Sequence, residues 1–338
     1  MTVLALILLG QGIICASFFN ICQRWVIRER ALSISEVLLI QHATSLPLLA
    51  SALLWWHGWG TTFSRNTTIF WSATILATLC SVIIQLANAK SHKGEASLVA
   101  PIRAMTPGMV TVAAFFVHEY PSQQGILGIL LIAGGTYLHG IQEKPGRLQA
   151  ADYLKPFKLL RLPADYQNLA EAQKLKVRNS THALRWAYLS ALFGTIGLVC
   201  DGLSARHGNV IVSSLAQAVG LVVAYGLLFP ILNKNQEEKL TEPLAQRCKR
   251  YWWQILLVGI CFGLQAVFFP TVFRLAPIAY AGSIKRLGIV LTVLLAWWIL
   301  KEKQAKLRLW PASLITLGVI LLAGDNSVDS IIKQLEKN

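Results

Sequence analysis

Lys285 and Arg286 stand side by side at the head of Leu287–Leu300, fourteen residues without a charge. No Asp or Glu lies within two helical turns of them along the chain. A third cation, Arg103, sits in "ASLVAPIRAMTPGMVTVAAFFVHE" (Ala96–Glu119), which otherwise holds no Asp, Glu, Lys or Arg before its terminal Glu119. A charged side chain at the centre of a bilayer costs on the order of 2.5–3.5 kcal/mol on insertion scales, so such residues face a cavity or a partner. Guanidinium forks match phosphate or carboxylate oxygens in pairs, and the Lys ammonium adds a compact point charge. Three cations balance a dianionic phosphate, whereas a monocarboxylate leaves two uncompensated. The chemistry is anion binding.

Other polar residues bear on that reading. Glu36, near the inner end of the second apolar run, is a charge partner for Arg103, and Asp201, near the outer end of the sixth, for Lys285 or Arg286. Such bridges turn the cations into conformational latches, and a substrate can compete for a latch. Gln85 and Asn88, at i and i+3 on the third run, and Gln265 on the eighth bring amides that either contact substrate hydroxyls or join helices. Tyr280, about one turn before Lys285, is a substrate-facing wall or a lipid-facing aromatic. Gln217 and His42 read as core residues, and Glu119 and Glu302 as caps at the ends of their spans.

The elements that position these residues are apolar. Of the 338 residues 54% are hydrophobic and 14% charged, with mean hydropathy +0.52; soluble proteins carry about 25% charged residues. Ten spans are expected, each near the ~20 residues that cross a bilayer: Val3–Ile21, Leu32–Trp55, Ile69–Asn88, Ala96–Val117, Gln123–His139, Leu184–Leu203, Val210–Leu232, Trp252–Phe273, Ala276–Leu300 and Leu307–Gly324. The first begins at Val3 with no basic leader or small-residue cleavage site, which predicts no removable signal peptide.

The net charge of +15 is topological. Loops on one side hold 22 Lys and Arg and the other side 5, an asymmetry that puts both termini outside the cytoplasm. No nucleic-acid role follows. The six cysteines form no CxxC or zinc spacing and read as small buried residues. No P-loop, GxSxG, metal cluster or carboxylate pair occurs in the sequence, so an enzyme, a cofactor, a metal and an ATP-driven pump are all unexpected.

A shift of 183 residues superposes the halves: Glu119 falls on Glu302, Arg103 on Arg286, Pro47 on Pro230 and Gly135 on Gly318. Five spans per half force the second copy to begin on the opposite side of the membrane, an inverted repeat that places substrate sites near the midplane. The expected fold class is therefore an all-α polytopic membrane protein, ten transmembrane helices as two inverted five-helix repeats. Residues 1–140 form the first repeat and 184–326 the second, with a basic cytoplasmic connector at 141–183 and a C-terminal tail at 327–338. In the connector, Lys155, Lys158 and Arg161 make a basic stripe that either lies on anionic lipid or is solvated, and Ala164–Val177 has helix-forming composition. Gly134, Gly135, Gly318 and Gly324 suit close helix packing, inside the chain or at a homodimer seam. Pro47 and Pro230 are expected to kink their spans.

The order of spans, with a small residue, Pro or Gly, an apolar run and a terminal Glu, resembles the EamA-type repeat of the drug/metabolite transporter superfamily. Within it, "IRAMTP" (Ile102–Pro107) and "IKRLGIV" (Ile284–Val290) are similar to the basic segments of the triose-phosphate and nucleotide-sugar translocators. The resemblance implies that Arg103, Lys285 and Arg286 hold a substrate phosphate. Here Arg replaces the fourth-span Lys of that family and Thr106 its Glu.

The reading is a secondary active transporter of a small anionic metabolite, such as an organic phosphate, working by alternating access in a bacterial cytoplasmic membrane. The alternatives are an amino-acid or drug exporter of the same superfamily, or a flippase for a phosphorylated lipid carrier. A cationic cargo conflicts with three buried positive charges, and a flippase needs an apolar portal toward the bilayer.

Overall fold

A backbone in hydrocarbon must satisfy its own hydrogen bonds, so apolar runs of this length fold as helices. The computed structural model describes residues 3–28, 32–57, 67–91, 102, 105–141, 171–234, 242–291, 294 and 309–325, and among them there is no strand. The helices are α1 (Val3–Arg28), α2 (Ile34–His57), α3 (Thr68–Ser91), α4 (Thr106–Phe115), α5 (Gln123–Ile141), α6 (Glu171–His207), α7 (Val210–Lys234), α8 (Leu244–Arg250), α9 (Trp252–Val272), α10 (Ile278–Ile284) and α11 (Leu309–Ala323).

Among the described residues, six stretches are long and apolar enough to cross a membrane: Val3–Asn20, Ser35–Trp55, Thr68–Asn88, Gln173–His207, Val210–Ile231 and Trp252–Val272. They coincide with the first, second, third, sixth, seventh and eighth expected spans. The fifth expected span falls on α5, of 19 residues, which is not one of those six. The fourth, ninth and tenth are represented by shorter described helices of 10, 7 and 15 residues. On α7 the side chains of Val219, Val223, Leu227 and Ile231, four residues apart, are all exposed, Leu227 at 74%. In water such a stripe is an aggregation liability; against acyl chains it is at home. The 37 residues of α6 extend roughly 55 Å, well beyond the ~30 Å hydrocarbon core. Its first turns therefore project past the bilayer, beginning at Glu171. The basic stripe at 152–162 lies outside the described residues.

The chain forms two compact units, each drawing on both halves of the sequence. One comprises Thr2–Val82 and Val199–Pro277. In it α1 packs on α9, and α2 on both α7 and α9. Small residues set the approach. A Cβ on Gly12 would lie 3.1 Å from the Phe269 ring, one on Gly263 would meet Leu48 at 2.9 Å, and one on Gly259 would collide with the Thr44 side chain. Leu53, Phe70, Ile211 and Val212 form one buried cluster, and Val26, Leu32, Val37 and Ile255 another. Both α2 and α7 continue through their internal Pro47 and Pro230.

The other unit comprises Ile83–Leu198 and Ile278–Asn338. Here α5 lies along α11, and α4 packs on α10 and α5. Ile102 is fully buried among Ala183, Leu184 and Ala187 of α6, with Tyr188 beside them. Gly135 and Gly318 pack α5 and α11 within the chain, whereas a Cβ on Gly134 would meet nothing within 4 Å.

Candidate functional site

The ninth expected span does not run as one regular helix. The last i→i−4 bond of α10 has the Lys285 N–H donating to the Ala281 carbonyl at 3.1 Å. The reach then shortens by a residue: Arg286 N–H donates to Ser283 O (2.9 Å), Gly288 N–H to Lys285 O (3.1 Å) and Ile289 N–H to Arg286 O (2.9 Å). Such bonds mark the tighter 3₁₀ geometry. Lys285 and Arg286 form the turn, exposed and half-buried respectively, and helical residues resume at 287.

The fourth expected span carries the same feature. Met105 N–H donates to Ile102 O at 3.1 Å, and only then does α4 begin, with Pro107 in its first turn. Pro suits that place because an N–H there has no helical partner. Shifted by 183, Ile102 and Met105 become Lys285 and Gly288. The same i→i−3 hydrogen bond, 3.1 Å in both copies, thus recurs at equivalent positions. Arg103 falls between the bonded residues but lies outside the described residues.

The surroundings of the ninth-span turn are tightly held. All seven residues of α10 are buried. Gly282 sits where a Cβ would make ordinary contacts of 3.7 and 3.8 Å with Leu198 and Val110. The Glu119 carboxylate, fully buried, accepts the Ile278 N–H at 2.8 Å and so caps the start of α10 rather than only closing its own span. Tyr280 is fully buried. Its hydroxyl donates to Asp325 Oδ2 at 2.6 Å and accepts the Ser122 N–H at 3.2 Å, while Ser122 Oγ donates to the same Asp325 oxygen at 2.5 Å. A Cβ on Gly125 would collide with that hydroxyl. Tyr280 thus ties the start of α10 to both the α4–α5 connection and the end of α11, a role that neither side of the sequence expectation described. The Ser283 hydroxyl, two residues before Lys285, is fully buried and has no hydrogen-bond partner.

The remaining candidates are dispersed. Gln85 and Asn88 are half-buried on α3, and Asn88 Oδ1 accepts from Ser190 Oγ of α6 at 2.7 Å, a helix-joining bond. Gln265 is half-buried on α9. Asp201 Oδ1 accepts from Gln217 Nε2 at 2.9 Å. Both Glu36 oxygens are engaged by Arg247, with Nη1 at 2.8 Å from Oε2 and Nη2 at 2.7 Å from Oε1, and Oε2 also accepts the Ser33 N–H. Arg247 on α8 is a partner the sequence reading did not nominate. Only its place in a basic loop facing the end of a span that begins with an acid could have suggested it.

A family model described as "Sugar transport protein" matches residues 167–332, the connector's end and the second half. The match supports a membrane transporter of sugars or other small metabolites. It also points away from an enzyme, and with the long apolar helices it supports a multi-pass membrane protein. No curated protein matches the sequence. A solved structure titled "Crystal structure of protein" is similar over 98% of both chains, with a TM-score of 0.65 at 13% identity. At that identity the similarity concerns the fold alone.

Proposed function

We propose that the chain is a ten-span inverted-repeat secondary transporter of the bacterial cytoplasmic membrane, with both termini outside the cytoplasm. Its cargo is a small anionic metabolite of the organic-phosphate type, carried by alternating access. Arg103, Lys285 and Arg286 form the anion clamp. The observation that carries this reading is the interruption of the ninth span at Lys285–Arg286, with the same i→i−3 bond at the equivalent place in the fourth. In lipid, a broken helix is tolerated where it is buried in protein or lines a wet cavity, and transporters use such breaks near the midplane to expose backbone groups to cargo. Here the ninth-span interruption falls at Lys285 and Arg286, and its counterpart bond, Met105 to Ile102, lies 183 positions earlier. Lys285 being exposed and Arg286 half-buried supports a cavity-facing placement over a dry core.

The test is counterflow of labelled glucose 6-phosphate in proteoliposomes, competed by inorganic phosphate and by glucose. Phosphates are expected to compete and glucose not, and the triple variant R103Q/K285Q/R286Q is expected to fall to the protein-free background. Equal rates with all three cations replaced would overturn the proposal. A second reading, a neutral sugar as cargo, is favoured by the matching family's description as a sugar transport protein. It predicts the opposite competition pattern.

A further inference from the structure

His42 lies in the middle of α2, eight residues or roughly 12 Å from its start, and is fully buried. The position 183 residues on is Tyr225, on α7, and the two rings stack with centroids 5.8 Å apart and planes 11° from parallel. Phe262 of α9 meets the imidazole edge-on at 4.6 Å. The imidazole also ends a chain of amides: Gln23 Nε2 donates to Gln41 Oε1 at 3.2 Å, and Gln41 Nε2 lies 3.1 Å from His42 Nε2. Gln23 and Gln41 line a cavity large enough for about one water. The same cavity is bounded by Leu32 and Val37, which flank the Glu36 of the Arg247 pair. The sequence reading treated His42 as a core residue, but an imidazole placed this deep and joined to a polar chain leading toward a helix end is better suited to carrying a proton.

We propose that His42 is a proton-binding site that couples transport to a proton gradient, with Gln41 and Gln23 as its switchable hydrogen-bond chain. In the neutral state Gln41 N–H donates to the Nε2 lone pair, and Gln23 N–H to the Gln41 carbonyl. When a hydronium ion gives its proton to Nε2, an N–H bond forms and water is left behind. Both amides then turn over, so that Nε2–H donates to the Gln41 oxygen and Gln41 N–H to the Gln23 oxygen. The number of hydrogen bonds is unchanged, because each amide holds one donor group and one acceptor. The positive charge is met by the face of Tyr225, stacked on the imidazole. Release to the opposite side breaks the same N–H bond and returns the proton to water, one proton per cycle. The ionisable groups on the surrounding elements are Cys15, Cys22, Arg24 and Arg28 of α1, Glu36 and His57 of α2 itself, Tyr225 and Lys234 of α7, Arg247, Cys248, Lys249 and Arg250 of α8, and Cys261 of α9.

This inference rests on the transport reading but not on an anionic cargo. In proteoliposomes given labelled glucose 6-phosphate or, in parallel, labelled glucose from outside, accumulation driven by an acid-outside gradient is compared with counterflow at equal pH. The ratio of the two is expected to fall at least about tenfold in H42Q. An H42Q ratio equal to wild type, or a wild-type ratio indifferent to the gradient, overturns the proposal. A cargo-free measurement decides the case in which neither probe moves and the transport reading itself fails. In nanodiscs with isotope-labelled histidine, the signal absent from H42Q should shift as the pH is lowered, and a signal unchanged by pH overturns it.

Discussion

Gly135 and Gly318, 183 residues apart, make one contact twice in opposite directions. A Cβ on Gly135 would lie 2.8 Å from Pro311 O and 2.9 Å from Ile315 Cγ1; one on Gly318 would lie 2.6 Å from Gly128 O and 2.7 Å from Ile132 Cγ1. Subtracting 183 from Pro311 and Ile315 gives Gly128 and Ile132. The crossing of α5 and α11 is therefore reciprocal residue by residue, and its obstacles include backbone, which cannot swing aside. Gly135→Ala and Gly318→Ala are each expected to cost about 1–3 kcal/mol, the usual range for overpacking. Gly134→Ala, one residue away in open space, is expected to be neutral or stabilising by up to about 1 kcal/mol. Thermal unfolding of the three variants in detergent checks the contrast.

The Glu36–Arg247 pair joins residues 211 positions apart with side chains 9% and 8% exposed. Removing one partner leaves a buried charge, so Glu36→Leu or Arg247→Leu alone is expected to destabilise by about 3–5 kcal/mol, whereas the double replacement should recover most of the loss. A double-mutant cycle on unfolding midpoints measures this. Additive single effects would mean that the pair is not coupled.

Cys248 follows Arg247 on α8, and burial pushes its thiol up from the ordinary 9.0. The thiolate is the reactive form, so its fraction at neutral pH is small. In a chain with Cys248 as sole cysteine, maleimide labelling is expected to be slow at neutral pH and still rising past pH 9.0. The label should reach it only from the cytoplasmic side, which tests the orientation inferred from the Lys and Arg asymmetry. Opening the pair with Glu36→Gln should speed the reaction.

Hydropathy and charge made the long spans legible because each is a property summed over about twenty residues. The same averaging hid the turn at Lys285–Arg286: exchanging an i→i−4 bond for an i→i−3 bond leaves no mark on composition. The constant offset of 183 gave the equivalence of Arg103 and Arg286, but nothing in it says that the helix yields at that place. Tyr280 was ambiguous because an aromatic suits lipid and cavity alike, and its hydroxyl partner Asp325 lies 45 residues on. Arg247 was one of several basic residues in its loop, and only the fold selects it for Glu36.

Tyr280 separates structural closure from cargo contact. Its hydroxyl donates to Asp325 beside Ser122, so Tyr280→Phe removes one donor to a buried carboxylate, at a cost of about 1–3 kcal/mol. Asp325→Asn should cost a similar amount, and the double variant should cost less than the sum. If Tyr280 instead touches cargo, the KM of counterflow rises in Tyr280→Phe while the unfolding midpoint stays put.

Arg286 and Lys285 should not be interchangeable if they hold a phosphate. The guanidinium offers a planar fork that meets two oxygens at once, whereas the ammonium acts as a point charge. Arg286→Lys keeps the charge and loses the fork, so its KM for glucose 6-phosphate is expected to rise about tenfold, equivalent to about 1.4 kcal/mol. Lys285→Arg keeps the charge in a bulkier form and should cost less. Under the neutral-sugar reading neither change has an oxyanion to act on, and counterflow of glucose should respond to both alike. Measuring both probes across the two variants therefore tests the clamp residue by residue. Equal KM values for glucose 6-phosphate in Arg286→Lys and wild type would remove Arg286 from it.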